Sequence, residues 1–553
     1  MTVAASIVLA LFITLANYGI WQHPELPEVR SVLFVRLYKL LLILAIMTGS
    51  FFCTYCILLY TVYHTDSFTV LTAPVYRSGA SKFLYFLIPF CVTAAVYLAI
   101  YFCCYWPGLM SLDSIDQVDQ IFTGRFSNHQ PFYHTMILGA FLNAGLSIFG
   151  NINYAVALYV TVQILFMAVT AGYVTMSMAE LAMPKWMIAT ATLWYALMPY
   201  HIMYSFTVWK DVYFSAFITI MIILLIKIAR EGGNFGRYLA FTIFSILICL
   251  IRSNGLFAYV FVFLGVLILL RKRRGLLFIM PAVTILAFVL KHNVLNSLGV
   301  IQPDTVESLS IPLQQISRVI KDDGNIAQDD MQFLSKIIDP STIKEVYNPD
   351  ISDPVKNAIR DLGDQDYLKD NLGQFFTVYL RTVIRNPMTV VTAWVDSTCG
   401  YWNSGYNYWV WFWDIEENNY GITRTVASEG MQLVMDEYLW MFYNTRIFQV
   451  FTAIGMFVWI VLVLFAKNIA TANRAGIIAI IPILAVLLSL LVSSPVYAEF
   501  RYMYPLFTAL PMLFAVTCAG ASDGKNSEDG EDCPGDANGA DDKQPAQPDE
   551  TGE

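Results

Sequence analysis

Four groups of polar residues stand at the edges of long apolar runs, where an ionisable side chain is costly unless it is paired or wet. The first is Trp106-Pro107-Gly108-Leu109-Met110-Ser111-Leu112-Asp113-Ser114-Ile115-Asp116-Gln117-Val118-Asp119-Gln120. Pro107 and Gly108 end the preceding helix, and Ser111 is placed to cap a new one starting near Leu112. On that helix Asp113, Asp116, Gln117 and Gln120 fall on one face, while Asp119 points away. Two carboxylates one turn apart can bind a metal, act as base and partner, or simply stay solvated at a helix start that the dipole already favours. The second group, Asn128-His129-Gln130-Pro131-Phe132-Tyr133-His134, holds two histidines without a third ligand at zinc spacing. In the third, Trp209-Lys210-Asp211-Val212, the lysine and aspartate either pair with each other or leave an ammonium facing an anion. The fourth joins Arg252 and Asn254 to Glu499-Phe500-Arg501-Tyr502-Met503-Tyr504-Pro505. Acids, amides and several cations meeting in one place is the composition of a phosphate-containing substrate site.

The elements that must position these groups are membrane helices. Of 553 residues, 57% are hydrophobic and only 14% charged, and the mean hydropathy is +0.56. Soluble domains carry roughly a quarter charged residues. This composition excludes a secreted disulfide scaffold, a nucleic-acid binder and a disordered protein. Twelve apolar runs read as spans, over 3–21, 38–63, 84–105, 152–180, 186–204, 206–229, 238–251, 253–270, 275–292, 446–466, 475–494 and 503–520. The stretch that Asn128 to His134 opens is amphipathic but too interrupted by glycine to count as a span. Most of the nine cysteines lie in apolar runs as small hydrophobes, and Cys53-x-x-Cys56 falls inside a span with no redox-fold context.

The net charge is −9, yet 521–553 alone holds eleven acids and two lysines, so the membrane body is formally neutral. That tail, rich in Asp, Gly, Pro and Ser, is expected to be disordered. Basic residues in short loops set the sidedness. Arg271, Lys272, Arg273 and Arg274, with Lys227, Arg230, Arg237, Lys467 and Arg474, mark the cytoplasmic side and place both termini there, in a multi-pass plasma-membrane protein. Arg30, Arg36 and Lys39 would then lie outside, against the rule. The expected organisation is a module over 1–292 including an outer loop at 106–151, an extracytoplasmic domain over 293–444, C-terminal helices over 445–520, and the tail 521–553. Within the extracytoplasmic domain, Leu313–Ile320 and Met331–Ile338 carry helical periodicity. The aromatic stretch from Trp394 to Trp413 reads as a loop at headgroup level or as a stacking platform for a sugar or polyprenyl chain.

The order of these motifs resembles the GT-C superfamily of membrane glycosyltransferases. The likeness is strongest to a bacterial branch with Pro-Gly-x-x-Ser-x-Asp-Ser-x-x-Gln, here Pro107 to Gln117, and Trp-Lys-Asp-Val, here Trp209 to Val212. Ile311 to Arg318 and Ser352 to Lys356 also look like that branch's outer domain. The fold this implies is an all-α polytopic membrane protein of about twelve transmembrane helices, GT-C-like, with an extracytoplasmic mixed or helical loop domain. The function it implies is transfer of a sugar from a polyprenyl-phosphate donor to a lipid, glycan or protein acceptor of the cell envelope, with membrane lipids as further partners. By the same resemblance Asp113 is the catalytic base, with Asp116 as the second candidate. Gln117, Gln120, His129, His134, Lys210, Asp211, Arg252, Asn254, Glu499, Arg501 and Tyr502 are the substrate-binding candidates. The acids are split as Asp113 and Asp116 rather than adjacent, and no Asp-x-Asp is present, so no metal or other cofactor is called for. The competing classes are a flippase or transporter of a polyprenyl-linked lipid and an envelope polysaccharide polymerase. A transporter would more often show an internal repeat and mid-bilayer charge.

Overall fold

In a bilayer every backbone group must be satisfied within its own segment, which makes helix the obligatory form for long apolar runs. The computed structural model describes residues 2–17, 32–63, 79–406, 408–409, 411–493 and 496–520, and these are helical apart from turns and isolated bridges. Among the described residues, seven helices are long and apolar enough to cross a membrane: Val35–Thr61, Ser81–Cys104, Phe132–Phe149, Ile152–Glu180, Lys210–Glu231, Arg274–Ser297 and Arg474–Ser493. A pair bent by 62°, Arg446–Thr452 and Ile454–Ala470, makes an eighth if counted as one span. Thr2–Leu15, Phe235–Ile251 and Gly255–Leu269 are shorter apolar helices. The described chain is thus that of an all-helical membrane protein, with several of its apolar runs divided into shorter helices. The tail at 521–553 lies outside the described residues, as does Arg30.

The departures have local causes. The run 186–204 breaks into Lys185–Leu197 and Pro199–Ser205, because Pro199 cannot donate to a continuing helix and holds Met198 in extended backbone. The carbonyl this leaves without a backbone donor, that of Tyr195, accepts from the Tyr97 hydroxyl at 2.5 Å. The buried Gln163 amide donates to Tyr204, Ser205 and Thr207. The following helix consequently starts at Lys210 rather than 206. Conversely, 132–149 is a continuous helix whose glycines serve close packing. A Cβ on Gly145 would lie 2.5 Å from the Ala155 Cα, so glycine is what lets this helix press against Ile152–Glu180.

Lys210–Glu231 is apolar on all sides and accordingly central. It packs against Ile152–Glu180, Phe235–Ile251, Arg474–Ser493 and Phe500–Cys518. The last of these carries Arg501, Pro505 and Pro511 and is not among the seven long apolar helices. The polar stretch after 302 forms a lobe with its own core of Val306, Leu313, Ile316, Phe333, Val355 and Phe375. Its helices Ser310–Lys321 and Gln328–Ile337 match the expected periodicity. The aromatic stretch does not lie flat. Tyr401, Trp402 and Trp409 are buried in the main core, and the Trp394 indole donates to the Leu491 carbonyl at 2.8 Å. Rings of this size bury too much apolar area to remain at the surface when a helix groove is within reach.

Candidate functional site

The site begins with a sharp turn. Gly108 has φ +134°, and a Cβ there would sit 2.6 Å from Val160 Cγ2 and 3.1 Å from the Phe206 carbonyl. Only glycine allows this approach. Leu109 then bonds both ways across to the loop after Ser205: its N–H donates to Phe206 and its carbonyl accepts from Val208, each at 2.9 Å. On the other side Trp106 accepts from Thr425 at 2.7 Å and Met110 from Glu416 at 3.0 Å. The linker is therefore held between two segments before the Leu112–Thr123 helix begins.

Ser111 occupies the N-cap position, but its hydroxyl makes no capping bond. It accepts instead from the Trp209 indole at 2.9 Å, while Ser114 donates to the Val208 carbonyl at 2.6 Å. The Pro-Gly-x-x-Ser-x-Asp-Ser and Trp-Lys-Asp-Val motifs are thus bonded to each other, which places Asp113 over the start of the central helix. Arg501 donates to the Asp113 carboxylate at 3.0 Å, and the Lys210 ammonium stands 3.9 Å from the same oxygen. Lys210 also donates to Gln130. Beneath this half-open group, Arg252 pairs with Asp211 at 2.6 Å, both buried. The Tyr502 ring lies between the two arginines, 4.4 Å from the Arg252 guanidinium and 5.3 Å from that of Arg501. Glu499 completes the cluster, 3.6 Å from Arg501 Nε. Three cations and three carboxylates meet here, drawn from four separate parts of the chain.

Burial by itself would raise the Asp113 carboxyl. Lys210, Arg501 with its hydrogen bond, and His129 outweigh it and hold the group below its ordinary value. Glu499 goes the other way: burial pushes it up, and Asp211 adds to that against the pull of Arg501.

Several expected residues stand apart from this cluster. Gln117 and His134 bond each other, and His134 reaches the Tyr159 hydroxyl at 2.9 Å, a satisfied buried network. Asp116 is exposed and takes the Gln120 amide at 2.9 Å, and the Gln120 carbonyl accepts from the Ser127 N–H. The exposed His129 lies 3.9 Å from Glu307 of the polar lobe. Asn254 donates to Ser489 at 3.0 Å. The shared face expected for Asp113, Asp116, Gln117 and Gln120 is therefore divided among three environments. Among the described residues no three His, Cys, Asp or Glu side chains are grouped to hold a metal.

Gln130, Trp209, Ser114 and Lys291 were not singled out by side-chain chemistry. Lys291 is buried in a π-helical turn, Leu290–Val294, and donates to the Arg252 carbonyl at 2.9 Å, fixing the turn that presents Arg252. A lone lysine at the end of the apolar run 275–292 was the available signal.

Such a fold and site define a helical membrane protein with a compensated ion cluster at one end of its helices. Residues 122–531 match the family described as Family of unknown function (DUF6020), and the chain belongs to that family. No curated protein and no solved structure matches the chain.

Proposed function

We propose that this protein is an integral membrane glycosyltransferase that moves a sugar from a polyprenyl-phosphate donor to a cell-envelope acceptor on the extracytoplasmic face. The observation that carries the reading is a half-exposed carboxylate, Asp113, held by Arg501 and Lys210 at the end of the membrane helices. In the proposed reaction the acceptor hydroxyl attacks the anomeric carbon as the bond to the phosphate oxygen breaks. The electron pair leaves on the polyprenyl phosphate, and the hydroxyl proton passes to Asp113. Arg501 and Lys210 stabilise the charge that grows on the leaving phosphate. The same two cations keep Asp113 ionised in the resting site. When a donor phosphate draws them away, the carboxylate becomes more basic at the moment a base is needed. Asp116, exposed and bound to Gln120, is the second candidate for that role.

The test uses the full chain in nanodiscs, with polyprenyl phosphate as binding probe and polyprenyl-phosphate sugars as donors. Asp113→Asn should abolish transfer and leave polyprenyl phosphate binding nearly intact; retained turnover would refute the assignment. Lys210→Ala and Arg501→Ala should both weaken binding of the probe, and unchanged affinity in both sinks the phosphate clamp. The extracytoplasmic placement is tested by cysteine labelling at the exposed Ser308 from outside intact cells. Labelling only after permeabilisation contradicts it.

A further inference from the structure

Helix Leu372–Arg385 of the polar lobe buries one side and leaves a second apolar side bare. Phe375, Val378 and Thr382 are buried, the first two in the lobe's own core, whereas Phe376, Leu380 and Ile384 are exposed, Ile384 by 77%. At a spacing of four these three share a face, and the exposed Gly373 and Thr377 complete it without a charge. Past the turn at Pro387, Met388 and Val391 are exposed as well. We propose that this helix lies in the plane of the membrane and seats the lobe on the bilayer, its bare side sunk among the acyl chains. The inference does not depend on glycosyl transfer.

Three observations make lipid the occupant. The first is continuity with the membrane body. The next helix, Pro387–Thr398, is fastened to Arg474–Ser493, which is long and apolar enough to cross a membrane, by the bond from the Trp394 indole to the Leu491 carbonyl. Leu491 lies in the last turn of that helix, where Leu488 and Val492 are exposed, so the surface that faces lipid reaches the level of Trp394. Ser310–Lys321, the lobe helix that packs on Leu372–Arg385, also packs on Arg474–Ser493. The second is length. Fourteen residues rise about 21 Å, short of the roughly 30 Å hydrocarbon thickness, so the helix can lie on a bilayer and cannot cross one.

The third is the edge of the bare face. Arg381 and Arg385 border it and reach back to Asp330 of the lobe at 3.0 and 3.8 Å while staying partly exposed. Basic side chains so placed lay their stems along apolar surface and keep their heads among the lipid head groups, as in helices that rest in the membrane interface. Trp394 suits the same level. The seat lies at the end of the membrane helices that carries the ion cluster, since Ser489 of Arg474–Ser493 accepts from Asn254, two residues from Arg252.

The experiment uses the full chain in phosphatidylcholine nanodiscs, with Leu380→Cys or Ile384→Cys carrying a nitrobenzoxadiazole label in a background whose native cysteines are alanine. Both labels should show blue-shifted emission and lose fluorescence when lipids with a doxyl group near the head of the acyl chain are included. Gln374→Cys, exposed on the polar side of the same helix, should do neither. Labels at 380 and 384 that behave like the one at 374 would overturn the proposal. Blue-shifted labels that doxyl lipid does not quench would overturn it too, because they assign the face to a second protein surface. The unsubstituted chain keeps the test decisive if cysteine replacement harms folding: phosphatidylcholine with a photoactivatable diazirine in its acyl chain should leave adducts within 376–388, and adducts confined to the membrane-crossing helices refute the seat.

Discussion

Asp113 and Asp211 face the same small set of cations under opposite conditions. Asp211 is 1% exposed and its partner Arg252 8%, with 2.6 Å between them. Asp113 is 35% exposed and shares two cations at 3.0 and 3.9 Å. Removing one partner of a closed pair leaves a buried charge uncompensated, so both residues are bound to stay together. In the open group each partner can be exchanged for water or for a ligand. Adjacent charges in one cluster therefore divide into a foundation and a working surface, and burial rather than residue type decides which is which.

The sharpest way to break this comparison is Arg252→Ala. It should destabilise the protein by about 3–5 kcal/mol, read as a large fall in Tm and in folded yield; a loss no larger than that of Asp113→Asn would erase the distinction. Gly108→Ala comes next. A side chain at φ +134° against Val160 should cost about 1–3 kcal/mol and shift the Asp113 helix while sparing the Asp211 pair. Its signature is weakened polyprenyl phosphate binding together with a moderate drop in Tm. Asp113→Asn should destabilise less than Arg252→Ala, because water reaches the 35% exposed carboxylate and can replace it beside Lys210 and Arg501, so an equal loss would reassign Asp113 to the foundation.

The smallest effect is on pH dependence. The folded-state value of Asp113 lies below its unfolded value near 3.8, so the stability it contributes is present above that pH and lost as pH falls through the folded value. Glu499 is raised, so its contribution is present below the unfolded value near 4.5 and lost as pH rises through the folded one. Unfolding followed across the acid range should show Asp113→Asn and Glu499→Gln flattening slopes of opposite sign. Slopes of the same sign would mean that the two carboxylates share one environment.

Much of the cluster was legible because ionisable residues beside apolar runs have few places to go. Asp113, Lys210, Asp211, Arg252, Glu499, Arg501 and Tyr502 were all selected on that ground, and the structure brings them together. Pairing was not legible. Lys210-Asp211 are neighbours in sequence, yet Asp211 turns to Arg252 and Lys210 to Gln130 and Asp113. His134 and Gln117 had the composition of site residues and proved to be a buried hydrogen-bonded pair. On the fold side, hydropathy alone could not place the break at Pro199, since the Tyr195 carbonyl it frees is satisfied by the Tyr97 hydroxyl from another helix. Nor could it see that the glycines of 132–149 permit a packed helix rather than interrupt one.

The sequence by itself determined that this is a helical membrane protein with polar groups at helix ends, because apolar run length and the cost of bare charge in lipid are local properties. Only the tertiary structure decided which of those groups meet. Partners such as Asp113 and Arg501 are separated by most of the chain, and their 3.0 Å contact depends on how the helices pack.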